Sequence, residues 1–199
     1  FATPSYGATA QAASSRPFQV AIGAGRMAAV DLNNSRVLIW STIPTTNNAL
    51  PDVVLGQADF TSSGTGCSAT RMNFPEAVAI TDDGKLLVAD TGNHRVLVWS
   101  AIPSTHGAAA DVVIGQSVFN TCRRNDDDQD NVFDATPSAR TLWRPTGLWS
   151  DGQRLVVLDG SNHRALLWNT FPAANFAPAQ VVLGQANFTN SMRNDDDQD

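Results

Sequence analysis

The chain has 199 residues, of which 42% are hydrophobic and only 16% charged, enough apolar content for the core of one folded domain. No apolar run approaches the roughly 18 residues that a membrane-spanning helix needs, so we expect no membrane insertion. The net charge is −6, and the excess acid lies in two short runs, at 123–134 and 193–199. Because no basic stripe is present to neutralise phosphates, nucleic acid is excluded as an expected partner.

Three segments of the chain repeat one another. Their best-matched stretches are DLNNSRVLIWSTIP from Asp31, DTGNHRVLVWSAIP from Asp90 and DGSNHRALLWNTFP from Asp159. A second match follows each of them at a constant offset: DVVLGQADF, DVVIGQSVF and QVVLGQANF. The chain is therefore built from three copies of one unit, which is the signature of a repeat architecture.

Each unit contains short apolar runs separated by turn signals, which predicts four strands. In the second unit we expect these strands at 77–80, 86–89, 96–99 and 112–116. Asp82-Asp83-Gly84 is typical of a tight hairpin turn, and Thr91-Gly92-Asn93 marks the following loop. No window longer than about ten residues keeps a helical period, so almost no helix is expected.

Units of about 45 residues with four strands each are typical of propeller blades. We therefore predict an all-β fold, a β-propeller of four-stranded blades, with one propeller segment spanning residues 1–199. The blades are predicted at 16–60, 74–119 and 144–188, with acidic linkers at 120–143 and 189–199. Three blades are too few to close a ring, so we expect a ring of six, completed either by the remaining blades of the same longer chain or by a second copy.

The stretch DTGNHRV at 90–96 and its two copies resemble the signature of NHL-repeat propellers. The Gly-Gln-x-x-Phe segment that ends each unit resembles a bacterial exported subgroup with long linkers. This resemblance implies an extracellular or periplasmic location. The functions of NHL-repeat family members range from RNA-binding scaffolds to lyases and lactonase-like enzymes. Cys67 and Cys122 permit one disulfide, which suits an exported protein; two buried thiols are the alternative.

Several polar and aromatic residues recur once per unit. An Asp and an Arg five residues later can pair bidentately across one loop, and we interpret these pairs as structural rather than as a ring of ligand-binding charges. The Trp residues are expected to pack between adjacent sheets rather than to form a stacking platform, and the Gln residues to bond backbone between blades. These repeated residues are Asp31, Asp90, Asp159; Arg36, Arg95, Arg164; Trp40, Trp99, Trp168; Gln57, Gln116, Gln185; Phe60, Phe119 and Phe188. The three histidines, His94, His106 and His163, are not predicted to converge on a metal.

The long acidic linker carries the sharpest local signal. Asp126, Asp128 and Asp130 alternate along it and Asp134 follows, a spacing that supplies oxygen ligands for calcium on a short loop. This spacing resembles the calcium loops of thrombospondin type 3 repeats. It departs from them at position six, where Asn131 stands in place of Gly, and at position twelve, where Pro137 stands in place of a bidentate Glu.

The same acidic pattern recurs at the end of the chain, where Asp195, Asp197 and Asp199 are the corresponding candidate calcium ligands. The alternative for both runs is a flexible, solvated acidic loop.

The sequence favours a non-enzymatic binding or assembly scaffold, stabilised by calcium, for a protein or small-molecule ligand that the residues do not identify. We predict no catalytic and no cofactor-binding residue. The alternative is a metal-dependent lyase or lactonase-like enzyme with its site in the central channel. Glu76 is the only glutamate in the chain and is the first residue to examine for that activity.

Overall fold

The computed structural model describes residues 14–193, which form twelve strands and three single-turn 3₁₀ helices. The strands make three four-stranded antiparallel sheets, each with its strands in chain order. The first sheet contains β1 (Pro17–Gly23), β2 (Arg26–Asp31), β3 (Arg36–Trp40) and β4 (Val53–Leu55). The second contains β5 (Ala77–Ile80), β6 (Leu86–Asp90), β7 (Arg95–Trp99) and β8 (Val112–Ile114). The third contains β9 (Pro145–Ser150), β10 (Leu155–Asp159), β11 (Arg164–Trp168) and β12 (Val181–Leu183).

The predicted all-β fold is confirmed: these sheets are three blades of a propeller and cover only part of a ring. Each sheet lies inside the corresponding predicted unit. The last strand of the second unit ends at Ile114 rather than at residue 116, because Gly115 adopts φ 94° and turns the chain away. The 3₁₀ turns, at Leu32–Asn34, Thr91–Asn93 and Gly160–Asn162, are the described helical segments, and each occupies the loop between the second and third strands of its sheet.

The apolar runs of the strands are buried on both faces where a sheet has two neighbours. On β6, Leu86 belongs to the core between the first and second sheets, whereas the next residue, Leu87, belongs to the core between the second and third. Successive side chains of a strand point to opposite faces. An unbroken apolar run is therefore what a central blade requires, and it explains why the strands do not alternate with polar residues.

Within residues 14–193, nothing covers the two end faces of this stack. We call the face that a sheet turns toward the preceding blade its leading face, and the opposite one its trailing face. On the leading face of the first sheet Ile22 is 59% exposed, and on the trailing face of the third sheet Leu183 is 56% exposed. Exposed apolar faces of this kind mark interaction surfaces.

Among residues 14–193, no helix is long and apolar enough to cross a membrane.

Candidate functional site

A buried ion pair closes the loop between the second and third strands of every sheet. In the second sheet Arg95 Nε donates to Asp90 Oδ2 at 2.8 Å, and both side chains are fully buried. The other carboxylate oxygen, Oδ1, accepts the backbone N–H of Asn73 at 2.7 Å. Burial raises the pKa of Asp90, and the Arg95 charge and the hydrogen bonds oppose that rise. The same 2.8 Å contact joins Asp31 to Arg36 and Asp159 to Arg164.

The pairing uses one carboxylate oxygen rather than the expected two. The reason is that the other guanidinium nitrogens of Arg95 hold backbone carbonyls: Nη2 donates to Ser68 at 2.9 Å and to Arg71 at 3.0 Å, and Nη1 to Phe119. The arginine thus ties the loop to the linkers before and after its blade. Four of its five N–H donors are thus engaged inside the protein, which supports a structural rather than a ligand-binding role.

The repeated Gly-Gln pair holds the end of the fourth strand against the same loop. A Cβ on Gly115 would lie 2.9 Å from the His94 carbonyl oxygen, and its positive φ also favours glycine. Gln116 Nε2 then donates to the Arg123 carbonyl at 2.6 Å. These amides bond the loop of their own blade and the linker that follows it, rather than the neighbouring blade as expected; the equivalents are Gln57 and Gln185.

The repeated tryptophans pack between sheets where a preceding sheet is present. Trp99 lies in the core between the first and second sheets, and Trp168 in the core between the second and third. The indole N–H of each donates to a backbone carbonyl nine residues later. Trp40 holds the same position on the leading face of the first sheet and is half-buried. Their separation by whole sheets leaves no shared stacking platform.

Polar bonds across the blade interfaces also repeat, and these were not anticipated. At the first interface the Phe74 N–H donates to Ser35 Oγ at 3.3 Å, and at the second the Arg144 N–H donates to His94 Nδ1 at 3.2 Å. Ser35 and His94 occupy one repeat position, which His163 occupies in the third unit. The signal that could have found this bond is that the N–H donor immediately precedes a proline, Pro75 or Pro145, at or just before the start of the inner strand.

A second repeated bond joins the outer strand of the first and of the second blade to the blade that follows. The Val54 N–H donates to His106 Nδ1 at 3.3 Å, and its carbonyl accepts the N–H of the next residue, Gly107, at 2.9 Å. Val113 makes the same two bonds, to Asn175 Oδ1 at 2.9 Å and to the N–H that follows at 3.0 Å. His94 and His106 therefore serve separate interfaces, and no histidine belongs to a group of possible metal ligands in residues 14–193.

Cys67 and Cys122 form a disulfide, with their Cα atoms 6.4 Å apart. This bond settles the alternative that the sequence left open. It joins the linker after the first sheet to the linker after the second, so the two long connections are fastened to each other on one side of the blades.

Three alternating aspartates of the acidic linker at 120–143 come together. One carboxylate oxygen from each of Asp126, Asp128 and Asp130 lies within 4.8 Å of the other two. Asp126 is fully buried; its Oδ2 accepts the Asn131 N–H at 3.2 Å, but its Oδ1 has no hydrogen-bond partner. Burial raises the pKa of Asp126, and the nearby charges of Asp130 and Asp128 raise it further. A buried carboxylate oxygen without a partner is costly unless a cation or donor satisfies it.

Local turns hold this group together. Asp128 Oδ1 accepts the Asp130 N–H at 3.2 Å, and Asp130 Oδ1 accepts the Val132 N–H at 2.7 Å. Gln129 and Asn131 adopt left-handed backbone, with φ 62° and 68°, so Asn131 does take the conformation that a Gly would provide at position six.

Asp134 does not join the group, because its carboxylate accepts the Asp127 N–H at 2.8 Å. The remaining candidate ligands, Asp195, Asp197 and Asp199, lie outside the described residues.

Glu76, the residue singled out for enzymatic activity, takes part in an ion pair across the interface between the second and third blades. Its carboxylate lies 3.6 Å from Arg144 Nη2. Within residues 14–193, the aspartate trio is the group of three or more His, Cys, Asp or Glu side chains whose ligand atoms could share one metal ion, and Glu76 is not part of it.

Comparison with protein families identifies an NHL repeat at residues 72–99. The match covers β5 to β7 and the intervening Asp–Arg loop. The sequence resemblance to NHL-repeat propellers is thereby confirmed, whereas membership of a bacterial exported subgroup stays a prediction. A search of curated proteins finds no match.

Solved structures of similar shape include Kuenenia stuttgartiensis hydrazine synthase, with 11% sequence identity and a TM-score of 0.49 over 95% of this chain and 40% of that one. Another is a humanized mutant of the Chaetomium thermophilum Polycomb Repressive Complex 2 bound to the inhibitor GSK126, with 11% identity and a TM-score of 0.43 over 76% of this chain and 28% of that one. The chain thus spans less than half the length of either structure. These similarities carry no inference about its activity.

Proposed function

We propose that this chain, three propeller blades with an NHL repeat, belongs to a non-enzymatic scaffold whose open end faces are covered by further blades of the same repeat. The observation that carries the proposal is the equivalence of the end faces with the faces buried inside the stack. Each blade interface joins the trailing face of one sheet to the leading face of the next. The two open faces are one of each kind and are therefore complementary.

The apolar positions of the end faces support this proposal. Leu183 on the trailing face of the third sheet corresponds to Ile114 of the second, which is fully buried against the third. Trp40 on the leading face of the first sheet corresponds to Trp99 of the second sheet, which is buried in the core between these two sheets. A blade of the same type added at each end would remove both faces from water, at a gain of about 25 cal/mol for each Å² of apolar surface buried.

The polar positions support it as well. His163 and Val182 stand where His94 and Val113 make bonds to the following blade. A further blade would supply the N–H that precedes its inner-strand proline to His163, and its loop would pair with the edge of β12. These directional bonds would fix the register of the added blade, since apolar contact alone is non-directional.

A charge on the trailing face tests the proposal. We expect Leu183→Arg in the whole protein to lower its thermal stability or to separate the blades that cover the face, because the charge would be buried without a partner. Val132→Arg is the matched control, since Val132 is 58% exposed but lies in the acidic linker. Equal melting temperature and equal mass in sedimentation for both variants would contradict the proposal.

The same sedimentation experiment separates the two sources of blades. A second copy predicts that a chain of 21.2 kDa sediments as a dimer that Leu183→Arg dissociates. Blades of one longer chain predict a monomer that the substitution destabilises without a change of mass.

We also propose that the protein works in an oxidising compartment, outside the cell or in the periplasm. The disulfide between Cys67 and Cys122 supports this location, because such bonds persist mainly in exported proteins. Protein recovered from its native source and treated with an alkylating reagent before reduction should show both cysteines unmodified. Alkylation of both would contradict the proposed location.

We further propose that the acidic linker binds calcium through Asp126, Asp128 and Asp130. The partnerless buried oxygen of Asp126 supports this, since a hard cation favours several carboxylate and carbonyl oxygens on one short loop. Because the loop has no glutamate to add a bidentate ligand, we expect a dissociation constant of about 10⁻⁴–10⁻³ M, as in extracellular modules.

Titration calorimetry with calcium chloride measures this binding. Asp128→Asn should abolish the heat, whereas Asp82→Asn, an exposed aspartate in a hairpin turn on a different loop, should leave it unchanged. No heat from the native protein at millimolar calcium, or equal heat from both variants, would reject the site.

A further inference from the structure

A second candidate binding site lies beside the disulfide, where the acidic linker passes the Asp–Arg loop of the second blade. It is a cavity of about 240 Å³, and the residues that line it are His94, Cys122, Arg123, Arg124 and Phe133. Its charged lining is cationic, although the chain as a whole has a net charge of −6. No step of the scaffold proposal uses it.

Arg124 is the central cation of this cavity. Its guanidinium carbon lies 4.2 Å from the ring centroid of Phe133 and 4.2 Å from that of Trp143. The side chain is half-buried, and among the described residues it has no carboxylate partner and no hydrogen-bond acceptor. Contact with two aromatic rings fixes the plane of a guanidinium and leaves the N–H groups at its edge available for a pair of oxygens.

His94 contributes an uncharged ring to the wall of the same cavity. Burial is the main cause that lowers the pKa of His94 to about 4, and the charges of Arg144 and Arg124 contribute to the same shift. The ring is therefore uncharged at neutral pH. Its Nδ1 accepts the Arg144 N–H at 3.2 Å. A hydrogen bond from the ring to the Thr91 backbone partly opposes the lowering of the pKa, and a neutral imidazole carries only one proton to donate.

The third basic residue, Arg123, lies at the exposed rim. Its Nε donates to the Asn131 carbonyl at 3.1 Å, which anchors the side chain while its terminal nitrogens remain available. Arg123 and Arg124 line one cavity, so their like charges repel each other; Arg144, whose charge also acts on His94, is paired with Glu76 at 3.6 Å. An anionic ligand would relieve that repulsion and satisfy the free donors together.

We propose that this cavity binds the carboxylate group of a small organic acid, with Arg124 as the bidentate contact, the uncharged ring of His94 in the wall and Arg123 at the entrance. A planar carboxylate matches the fixed edge of a guanidinium better than a tetrahedral oxyanion does. The cavity volume suits a ligand of a few heavy atoms. This site goes beyond the scaffold role and stands or falls independently of it.

Malonate is a suitable probe, with sodium chloride at equal ionic strength as the reference. We expect malonate to raise the melting temperature saturably, with millimolar affinity, and to shift the His94 ring resonances in NMR spectra. Arg124→Gln should remove both effects. Arg124→Lys, which keeps the charge but loses the fork, should weaken binding at least fivefold, an estimate that follows from the loss of one charge-assisted hydrogen bond.

Arg140→Gln is the matched control, because Arg140 also lies over an aromatic ring, that of Phe176 at 5.6 Å, but outside the cavity. It should bind malonate as the native protein does. Near-UV circular dichroism establishes that each variant is folded. Equal effects of malonate and chloride, unshifted His94 resonances, or equal losses in the Arg124 and Arg140 variants would overturn the site. Sulfate binding as tightly as malonate would overturn the carboxylate assignment.

Discussion

Replacing Arg95 by methionine removes the central residue of the second Asp–Arg loop while keeping a long apolar side chain in its place. The native guanidinium bonds Asp90 and the carbonyls of Ser68, Arg71 and Phe119. The variant therefore leaves a fully buried carboxylate without its counter-ion and removes one donor from each of three carbonyls, of which Ser68 keeps the Arg71 N–H. We expect this single change to loosen the second blade and both linkers attached to it.

The expected cost follows from the burial of the pair. Breaking a fully buried ion pair by removing one partner costs about 3–5 kcal/mol, because the remaining charge is uncompensated. Each carbonyl that loses its donor adds about 1–3 kcal/mol if it stays buried. The linkers can turn their carbonyls toward water, so we expect a total of about 4–6 kcal/mol rather than the full sum. That is a large part of the stability of a typical domain, about 5–15 kcal/mol.

The cost should also depend on pH. Burial already raises the pKa of Asp90, and Arg95 opposes that rise, so its removal raises the pKa further. A carboxyl group whose folded pKa exceeds its unfolded value destabilises the folded state increasingly as pH rises through that interval. The variant should therefore be closer to the native protein in stability at pH 5 than at pH 7.

Urea unfolding followed by tryptophan fluorescence measures this effect. Arg154→Met is the control, because Arg154 also pairs with an aspartate, at 2.6 Å, but on the surface, where such a pair contributes about 0–1 kcal/mol. The double variant with Asp90→Asn should recover part of the loss, since it buries no charge. A loss below about 1 kcal/mol for Arg95→Met, or no recovery in the double variant, would refute the assignment of this loop as a structural tie.

The remaining predictions concern the linkers. Replacing Cys67 and Cys122 by serine should cost about 4 kcal/mol by the chain-entropy relation for a loop of 55 residues, measured as the loss of urea stability relative to the oxidised protein; a loss below about 1 kcal/mol would contradict it. Gly115→Ala should cost about 1–3 kcal/mol from its positive φ and close contacts, and more than Gly84→Ala, where a Cβ meets nothing within 4 Å; equal losses would show that contact is unimportant. Asp126→Asn should leave the melting temperature without calcium unchanged or higher, because burial of the native carboxyl raises its pKa and so disfavours its charged form. Added calcium should no longer raise the melting temperature of this variant. A native-like response to calcium would contradict the ligand assignment.

The strands and their grouping into sheets could be predicted from the sequence because each signal is local and is repeated three times. An apolar run of four or five residues between turn residues identifies a strand, and the constant spacing to the next run identifies the sheet. The last strand was predicted two residues too long, since a run of apolar and small residues does not reveal where Gly115 takes positive φ. That information depends on the contact with the His94 carbonyl.

The Arg124 cavity could not be predicted in the same way, because the residues that form it come from unrelated parts of the repeat. His94 lies in a blade loop, and Trp143 follows the whole acidic linker. Their approach to Arg124 depends on how the linker folds over the second blade, which the Cys67–Cys122 bond and the Asp126 turn both influence. The acidic trio was predictable because its three carboxylates are two residues apart, a spacing that a single loop can gather.

The division between blades and linkers has a physical basis that bears on where function lies. A blade interface joins two different faces, so the same residues must satisfy it at every step, and a change in one blade affects two neighbours. This constraint accounts for the repeated use of Asp, Arg, Gly, Gln and Trp at the same positions. The linkers face solvent on one side and are free to differ, and among the described residues they hold the disulfide, the aspartate trio and most of the lining of the Arg124 cavity, to which the second blade adds His94. Ligand recognition needs such asymmetry, because a group repeated in every blade is already committed to holding the blades together. We therefore expect substitutions in the linkers to change binding with the fold intact, and substitutions at the repeated positions to change stability first.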